Sequence, residues 1–100
     1  MDRGAFVYIM ASQPRGTVYT GVTSDLMKRV SQHRLDLLPG FTRRYGCKRL
    51  MWFERFGDIG LAIAREKAIK EWRRSWKVRL IEVANPDWHD LAIGLGFEPL

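Results

Sequence analysis

A chain of 100 residues has room for one modest hydrophobic core, and a content of 46% hydrophobic and 12% aromatic residues is too apolar for a disordered chain. No apolar run approaches the ~20 residues of a membrane-spanning helix, and the lone Cys47 excludes a disulfide framework within the chain. The net charge of +6 and the pI near 10.0 point toward polyanionic partners.

The charge is unevenly spread. All of the Lys and Arg except Arg3 and Arg15 fall between Lys28 and Arg79, against the acids Asp36, Glu54, Asp58, Glu66 and Glu71. From Leu80 onward there is no Lys or Arg, while Glu82, Asp87, Asp90 and Glu98 are acidic. One basic face is expected, though a solvated basic surface would read the same way. Met1-Asp2-Arg3-Gly4 runs straight into a strand-like pattern without a basic start, an apolar block or a cleavage site, so no signal peptide is expected. With a single cysteine, a cytoplasmic home is expected. His33 and His89 with one Cys do not make a zinc site.

In chain order, Ala5 to Ala11 is short, β-branched and aromatic, as suits a strand buried on both faces. Ser12-Gln13-Pro14-Arg15-Gly16 supplies a turn, with Gly16 free to take a positive φ. Thr17 to Val22 resumes strand character and completes an antiparallel hairpin. Thr23 or Ser24 can cap a helix whose positive end Asp25 suits. Its apolar side is Leu26, Met27, Val30 and Leu37, and it ends before Pro39-Gly40. Phe41 to Arg49 reads as a charged loop interrupted by Gly46, and Leu50 to Phe56 as a third strand. A second helix spans Ile59 to Trp72 on a stripe of Leu61, Ala64, Ala68, Ile69 and Trp72. Arg65 intrudes on that stripe, and its stem can snorkel or its head can meet an acid. Ser75 can cap a third helix, Trp76 to about Val83, with the stripe Trp76, Leu80 and Val83. Asp87 to Leu95 holds room for one more short helical piece. The expected architecture is α+β, a small three-stranded antiparallel sheet packed with helices in the order β-β-α-β-α-α. Residues 1–100 form one domain whose last few residues fray.

The chemistry-bearing residues start with Arg29 and His33, neighbours at i and i+4 on one helix face. On a helical wheel centred on Leu26, His33 lies near the centre of the apolar side and Arg29 on its flank. Alone, His33 reads as a satisfied core histidine and Arg29 as a surface ion-pair partner. Tyr8 and Tyr19 alone read as strand tyrosines with rim hydroxyls, and Gly21 as a turn residue. Glu66 sits at the boundary of its helix's stripe, where an acid is usually a solvated flank. Beside Arg, His and Tyr in a basic protein, it has a second use as a ligand for one hard divalent cation. Tyr45 and Lys48, with Arg43 and Arg44, place phosphate contacts and a base-stacking ring in the basic segment. Asn85 before Pro86 is most simply a helix-end or turn residue.

Taken together, these residues resemble the GIY-YIG nuclease domain, and within that superfamily its small single-domain branch. The first motif is matched by Phe6-Val7-Tyr8 and the second by Tyr19-Thr20-Gly21, with Phe6, Val7 and Thr20 as departures. The segment from Gly21 through Leu26, Arg29 and His33 is similar to the family's catalytic-arginine helix, and Ala64-Arg65-Glu66-Lys67 to its metal-binding helix. Asn85 is a weaker match to a late asparagine. The resemblance implies metal-dependent hydrolysis of phosphodiester bonds, in DNA or less expectedly RNA. Glu66 would bind one Mg²⁺ or Mn²⁺, and Arg29 would offset charge on the phosphate. Tyr8 or Tyr19 would act as base, with Tyr8 favoured and Tyr19 as its helper, and His33 would contact the base tyrosine or a phosphate. A phenol with a pKa of ~10 is a poor base at neutral pH, so neighbouring cations are expected to lower it. The domain leaves no room for a targeting module, so a homodimer or a separate targeting protein is an expected partner. The alternative is a non-catalytic nucleic-acid-binding module of the same fold, with Trp52 or Trp72 stacking on bases. A protein-interaction domain reusing the fold ranks last.

Overall fold

The structure, a computed structural model, describes residues 4–100; the reading of Met1-Asp2-Arg3 lies outside them. Three strands, β1 (Ala5–Ala11), β2 (Val18–Thr23) and β3 (Arg49–Phe56), form an antiparallel sheet in the order β2-β1-β3. The Val, Ile, Tyr and Phe content of these segments suits a pleated surface, and the central β1 is buried on both faces save Phe6, as its apolar run predicts. Tyr8 pairs with Gly21 across β1–β2 and with Phe53 across β1–β3. The register shifts between Ile9, opposite Trp52, and Met10, opposite Leu50, which leaves Met51 as a bulge.

The described residues also form five helices. They are α1 (Leu26–Arg34), α2 (Phe41–Tyr45), α3 (Ile59–Glu71), α4 (Arg74–Ala84) and α5 (Leu91–Gly94). Two hydrophobic clusters lie on opposite faces, as the alternation of β1 requires. Val7 and Ile9 pack with Ala62 and Ile69 of α3, Ile81 of α4 and Trp88. Tyr8 and Met10 pack with Leu26 and Val30 of α1, Cys47, Leu50 and Ala92 of α5. No helix among the described residues is long and apolar enough to cross a membrane.

The α+β class and the sheet match the sequence expectation, and several details correct it. The segment expected to be a loop, Phe41 to Arg49, contains α2, a single turn bracketed by Gly40 and by Gly46, which adopts a left-handed φ of 65° and ends the turn. In the hairpin turn the positive φ falls on Arg15, not Gly16. The α1 cap is Asp25, whose side chain accepts from the Lys28 N–H at 3.1 Å; Thr23 instead accepts from the Asp25 N–H at 3.0 Å. This helix stops at Arg34, so Leu37 is exposed. The inward face of α3 is Ala62, Glu66 and Ile69, while Leu61, Ala64 and Ala68 point outward. Arg65 does meet an acid: its Nε is 3.3 Å from Glu54 Oε1, and its guanidinium lies 5.3 Å from the Trp72 ring centroid. Ser75 lies inside α4, which starts one residue earlier, and the buried residue of that helix is Ile81. Trp76 and Val83 are exposed at 52% and 79%. The acidic tail is partly interior, because Asp90 is spent on an ion pair with Arg34.

Candidate active site

The centre of the site is Tyr8. It stands in the middle of the central strand, is fully buried, and its Oη lies 2.9 Å from His33 Nε2. His33 reaches it because α1 packs its Leu26–Val30–His33 face on the sheet, which is the period of an α-helix. Tyr19, two positions before Gly21 on β2, stands beside both rings, 6.4 Å from Tyr8 and 5.7 Å from His33 between centroids. Arg29, one turn before His33, is half-buried and acts on both groups.

Gly21 has a defined steric reason. A Cβ on Gly21 would sit 2.5 Å from both Cζ and Oη of Tyr8, so the phenol lies directly over the glycine of the facing strand. Replacing Gly21 by Ala is expected to displace the buried phenol, break its bond to His33 and cost roughly 1–3 kcal/mol. Denaturant melts and the loss of the Tyr8–His33 coupling by NMR check this; an unchanged midpoint and intact coupling would reject it.

Glu66 lies on the inward side of α3, with its side chain 13% exposed. Its Oε1 is 3.2 Å from Lys70 Nζ one turn on, and Lys70 Nζ is 5.8 Å from the Tyr19 ring centroid. The Glu66 charge is felt at the Tyr8 phenol. Tyr8, Tyr19 and His33 thus stand together with Arg29 beside them, and Glu66 is linked to the group through Lys70, whose ammonium lies near the Tyr19 ring.

The electrostatics differ from the expectation for the phenol. Burial, followed by the neighbouring Tyr19, pushes Tyr8 from 10.0 up to about 12. Arg29 pulls downward through hydrogen bonding and charge, as expected of a cation, but burial outweighs it. Tyr8 is thus a phenol, not a phenolate, at neutral pH. His33 is pushed down from 6.5 to about 4, first by burial and then by the Arg29 charge, so it is a neutral imidazole. Its Nδ1 is buried without a hydrogen-bond partner.

The remaining candidates make no direct contact with Tyr8 or His33. Asn85 is buried and structural in its contacts: its Nδ2 donates to Met51 O at 3.1 Å and His89 O at 2.9 Å, and its Oδ1 accepts from the His89 N–H at 2.9 Å. These bonds tie the end of α4 to β3. Lys48 Nζ is 3.0 Å from Asp36 Oδ2. Arg43, Arg44 and Tyr45 are exposed on α2. Trp52 is buried, which removes it as a stacking surface. Phe41, passed over in the sequence, lies 6.2 Å from Tyr19 and 4.6 Å from Tyr45 between ring centroids; its spacing four residues before Tyr45 was the available signal.

Residues 4–79 match the family model of the GIY-YIG catalytic domain. A UPF0213 protein of Clostridium perfringens is 36% identical over 76 residues, covering 76% of this chain and 81% of the relative. A UPF0213 protein of Haloquadratum walsbyi is 34% identical over 77 residues, covering 77% and 85%. The solution NMR structure of a UPF0213 protein from Bacillus halodurans superimposes with a TM-score of 0.56 at 25% identity, covering 95% of this chain and 99% of that one. The matched span carries both tyrosines, Gly21, Arg29, His33 and Glu66, and the chain belongs to the GIY-YIG catalytic domain family.

Proposed function

We propose that this protein is a divalent-metal-dependent endonuclease that hydrolyses phosphodiester bonds in DNA. The observation that carries the reading is the hydrogen-bonded Tyr8–His33 pair with Tyr19 beside it, Arg29 one turn before His33, and Glu66 tied to the Tyr19 ring through Lys70. The +6 net charge supports a polyanionic substrate.

Glu66 suits a hard cation. Its inward carboxylate already holds one cationic group, the Lys70 ammonium, and the described residues offer no cluster of three or more His, Cys, Asp or Glu that would close a cage. A single carboxylate with open positions matches the preference of Mg²⁺ or Mn²⁺ for water and phosphate oxygens. When bound, the cation would polarise the phosphate and stabilise the leaving oxygen.

The chain's own groups handle the proton. The relay uses the neutral His33 tautomer that carries its proton on the partnerless Nδ1, in which Nε2 accepts from the Tyr8 hydroxyl at 2.9 Å. Water attacks phosphorus and loses a proton to Tyr8 Oη as Tyr8 passes its own to His33 Nε2. The O–P bond forms, the P–O3′ bond breaks, and the leaving 3′ oxygen is protonated from solvent. This relay does not need a free phenolate, which the raised Tyr8 pKa disfavours. Arg29 holds the phosphate, and after burial its charge is the second cause of the low His33 pKa. A phosphate seated on Arg29 offsets the charge that depresses His33 and makes the imidazole a better acceptor once substrate is bound. Tyr19 lines the same space and orients water or phosphate.

The test is cleavage of labelled DNA with Mg²⁺ or Mn²⁺ by the wild-type protein beside Glu66→Ala. Activity in the wild type and its loss in the variant is expected. Equal activity in both would assign the cleavage to a contaminant.

A further inference from the structure

The aromatic groups of the site do not stop at Tyr19. Phe41 continues the series at 6.2 Å and Tyr45 extends it at 4.6 Å, between ring centroids. Phe41 and Tyr45 are each 46% exposed, and both lie outside the core clusters. They are borne by α2, a single turn anchored by its buried Thr42. Exposing two adjacent rings leaves apolar area in water that the fold does not need for its core. The same turn carries Arg43 and Arg44, and the Arg44 guanidinium lies 5.5 Å from the Tyr45 ring centroid. Cationic groups are thus interleaved with aromatic faces, and the track leads directly to the Tyr8–His33 pair.

We infer that Phe41 and Tyr45 form a stacking platform for an unpaired base next to the scissile phosphate, so that the protein acts on single-stranded DNA in preference to continuous duplex. The inference rests on the nuclease reading above and adds the substrate class. In a duplex each base has both π-faces covered by its neighbours, so aromatic side chains can stack only on a base that is unpaired or splayed out. A strand whose phosphate sits beside Tyr19 has Phe41 as the next ring, 6.2 Å on between centroids. Arg43 and Arg44 supply the backbone attraction, which is independent of base identity.

Binding separates this inference from the chemistry. A fluorescein-labelled single-stranded oligodeoxynucleotide and its blunt duplex are titrated with Glu66→Ala protein, which removes cleavage from the measurement. Single strand is expected to bind more tightly. On that background, Phe41→Ala with Tyr45→Ala weakens single-strand binding by about five- to a hundredfold, the range of base–aromatic stacking, and leaves duplex binding within about twofold. Phe41→Tyr with Tyr45→Phe retains single-strand binding. Arg43→Gln with Arg44→Gln weakens both forms and flattens the salt dependence. Equal affinity for the two DNA forms, or equal losses on both in the alanine variant, overturns the platform; so does DNA binding that is absent at low salt, which would make the patch a contact for another protein. A wild-type protein that prefers single strands through these rings but cuts nothing with any divalent cation keeps the platform and ends the nuclease reading. Cleavage that depends on Glu66 but treats both DNA forms alike does the reverse.

Discussion

Replacing Arg29 by Met is expected to lower DNA cleavage by about 10²–10³-fold, the usual cost of removing one preorganised charge from a transition state. The same change has a second, independent signature. Arg29 lowers the pKa of both Tyr8 and His33. Without it the His33 pKa rises from about 4 toward 6.5 but stops short, because burial, the larger cause, is unchanged. The sign for stability follows. His33 binds its proton less readily in the folded chain than in the unfolded one, so folding is favoured fully above pH 6.5 and the contribution is lost as pH falls toward about 4. In Arg29→Met that acid-induced loss is smaller and its window narrower. Arg29→Lys keeps a charge but not the planar fork that meets a phosphate with two parallel bonds. It is expected to retain the low His33 pKa and to fall between wild type and Met in activity. NMR titration of His33 and cleavage rates on the three proteins check both parts. A Met variant that cuts within a few-fold of wild type would remove Arg29 from the chemistry. A His33 titration unmoved in that variant would show that the two side chains are not electrostatically coupled.

What the sequence discloses and what it hides divide along physical lines. Strands β1 and β2 are legible because their apolar, β-branched runs are short and bounded by a Pro/Gly turn. The pairing of Arg29 with His33 is legible because α1 is a clean amphipathic turn with one polar residue at its apolar centre. The steric role of Gly21 is not: it depends on the cross-strand register that sets Tyr8 opposite it. The inward face of α3 is misread for a related reason. Leu61 faces water, Glu66 faces the sheet, and small alanines lie on both sides. A helix that turns a carboxylate inward breaks the hydrophobic stripe by which its face would be found. The raised Tyr8 pKa is likewise a property of burial, which composition around the residue does not report. The single turn of α2 is too short to show a helical period, and its charges resemble those of a loop.

The part of the fold least visible in sequence also carries the largest expected stability effect. Arg34 Nη1 and Asp90 Oδ2 meet at 3.2 Å with side chains 10% and 9% exposed. The other Asp90 oxygen accepts the Leu50 N–H at 3.0 Å, at the start of β3, and the Ala92 N–H at 3.0 Å, as the cap of α5. Arg34 also donates to the Glu98 carbonyl and lies 5.2 Å from the Phe97 ring centroid. One carboxylate thus joins α1, β3 and the C-terminal segment, across positions too far apart for any local pattern. Asp90→Ala would leave Arg34 without its buried counterion and two N–H groups without their acceptor. The expected cost is about 3–5 kcal/mol, a large share of the ~5–15 kcal/mol that holds a domain together. Asp90→Asn keeps an oxygen for the two N–H groups and loses the charge, so it is expected to cost less than the alanine variant. Because α1 also carries Arg29 and His33, loosening this clamp is expected to reduce cleavage even at temperatures where the chain stays folded. Denaturant melts followed by tryptophan fluorescence give the ranking wild type, Asn, Ala. Equal stability of all three would mean that the ion pair and the two N–H bonds to Asp90 contribute nothing net, and that the C-terminal segment is held by Phe97, Leu91 and Leu95 on the Tyr8 face alone.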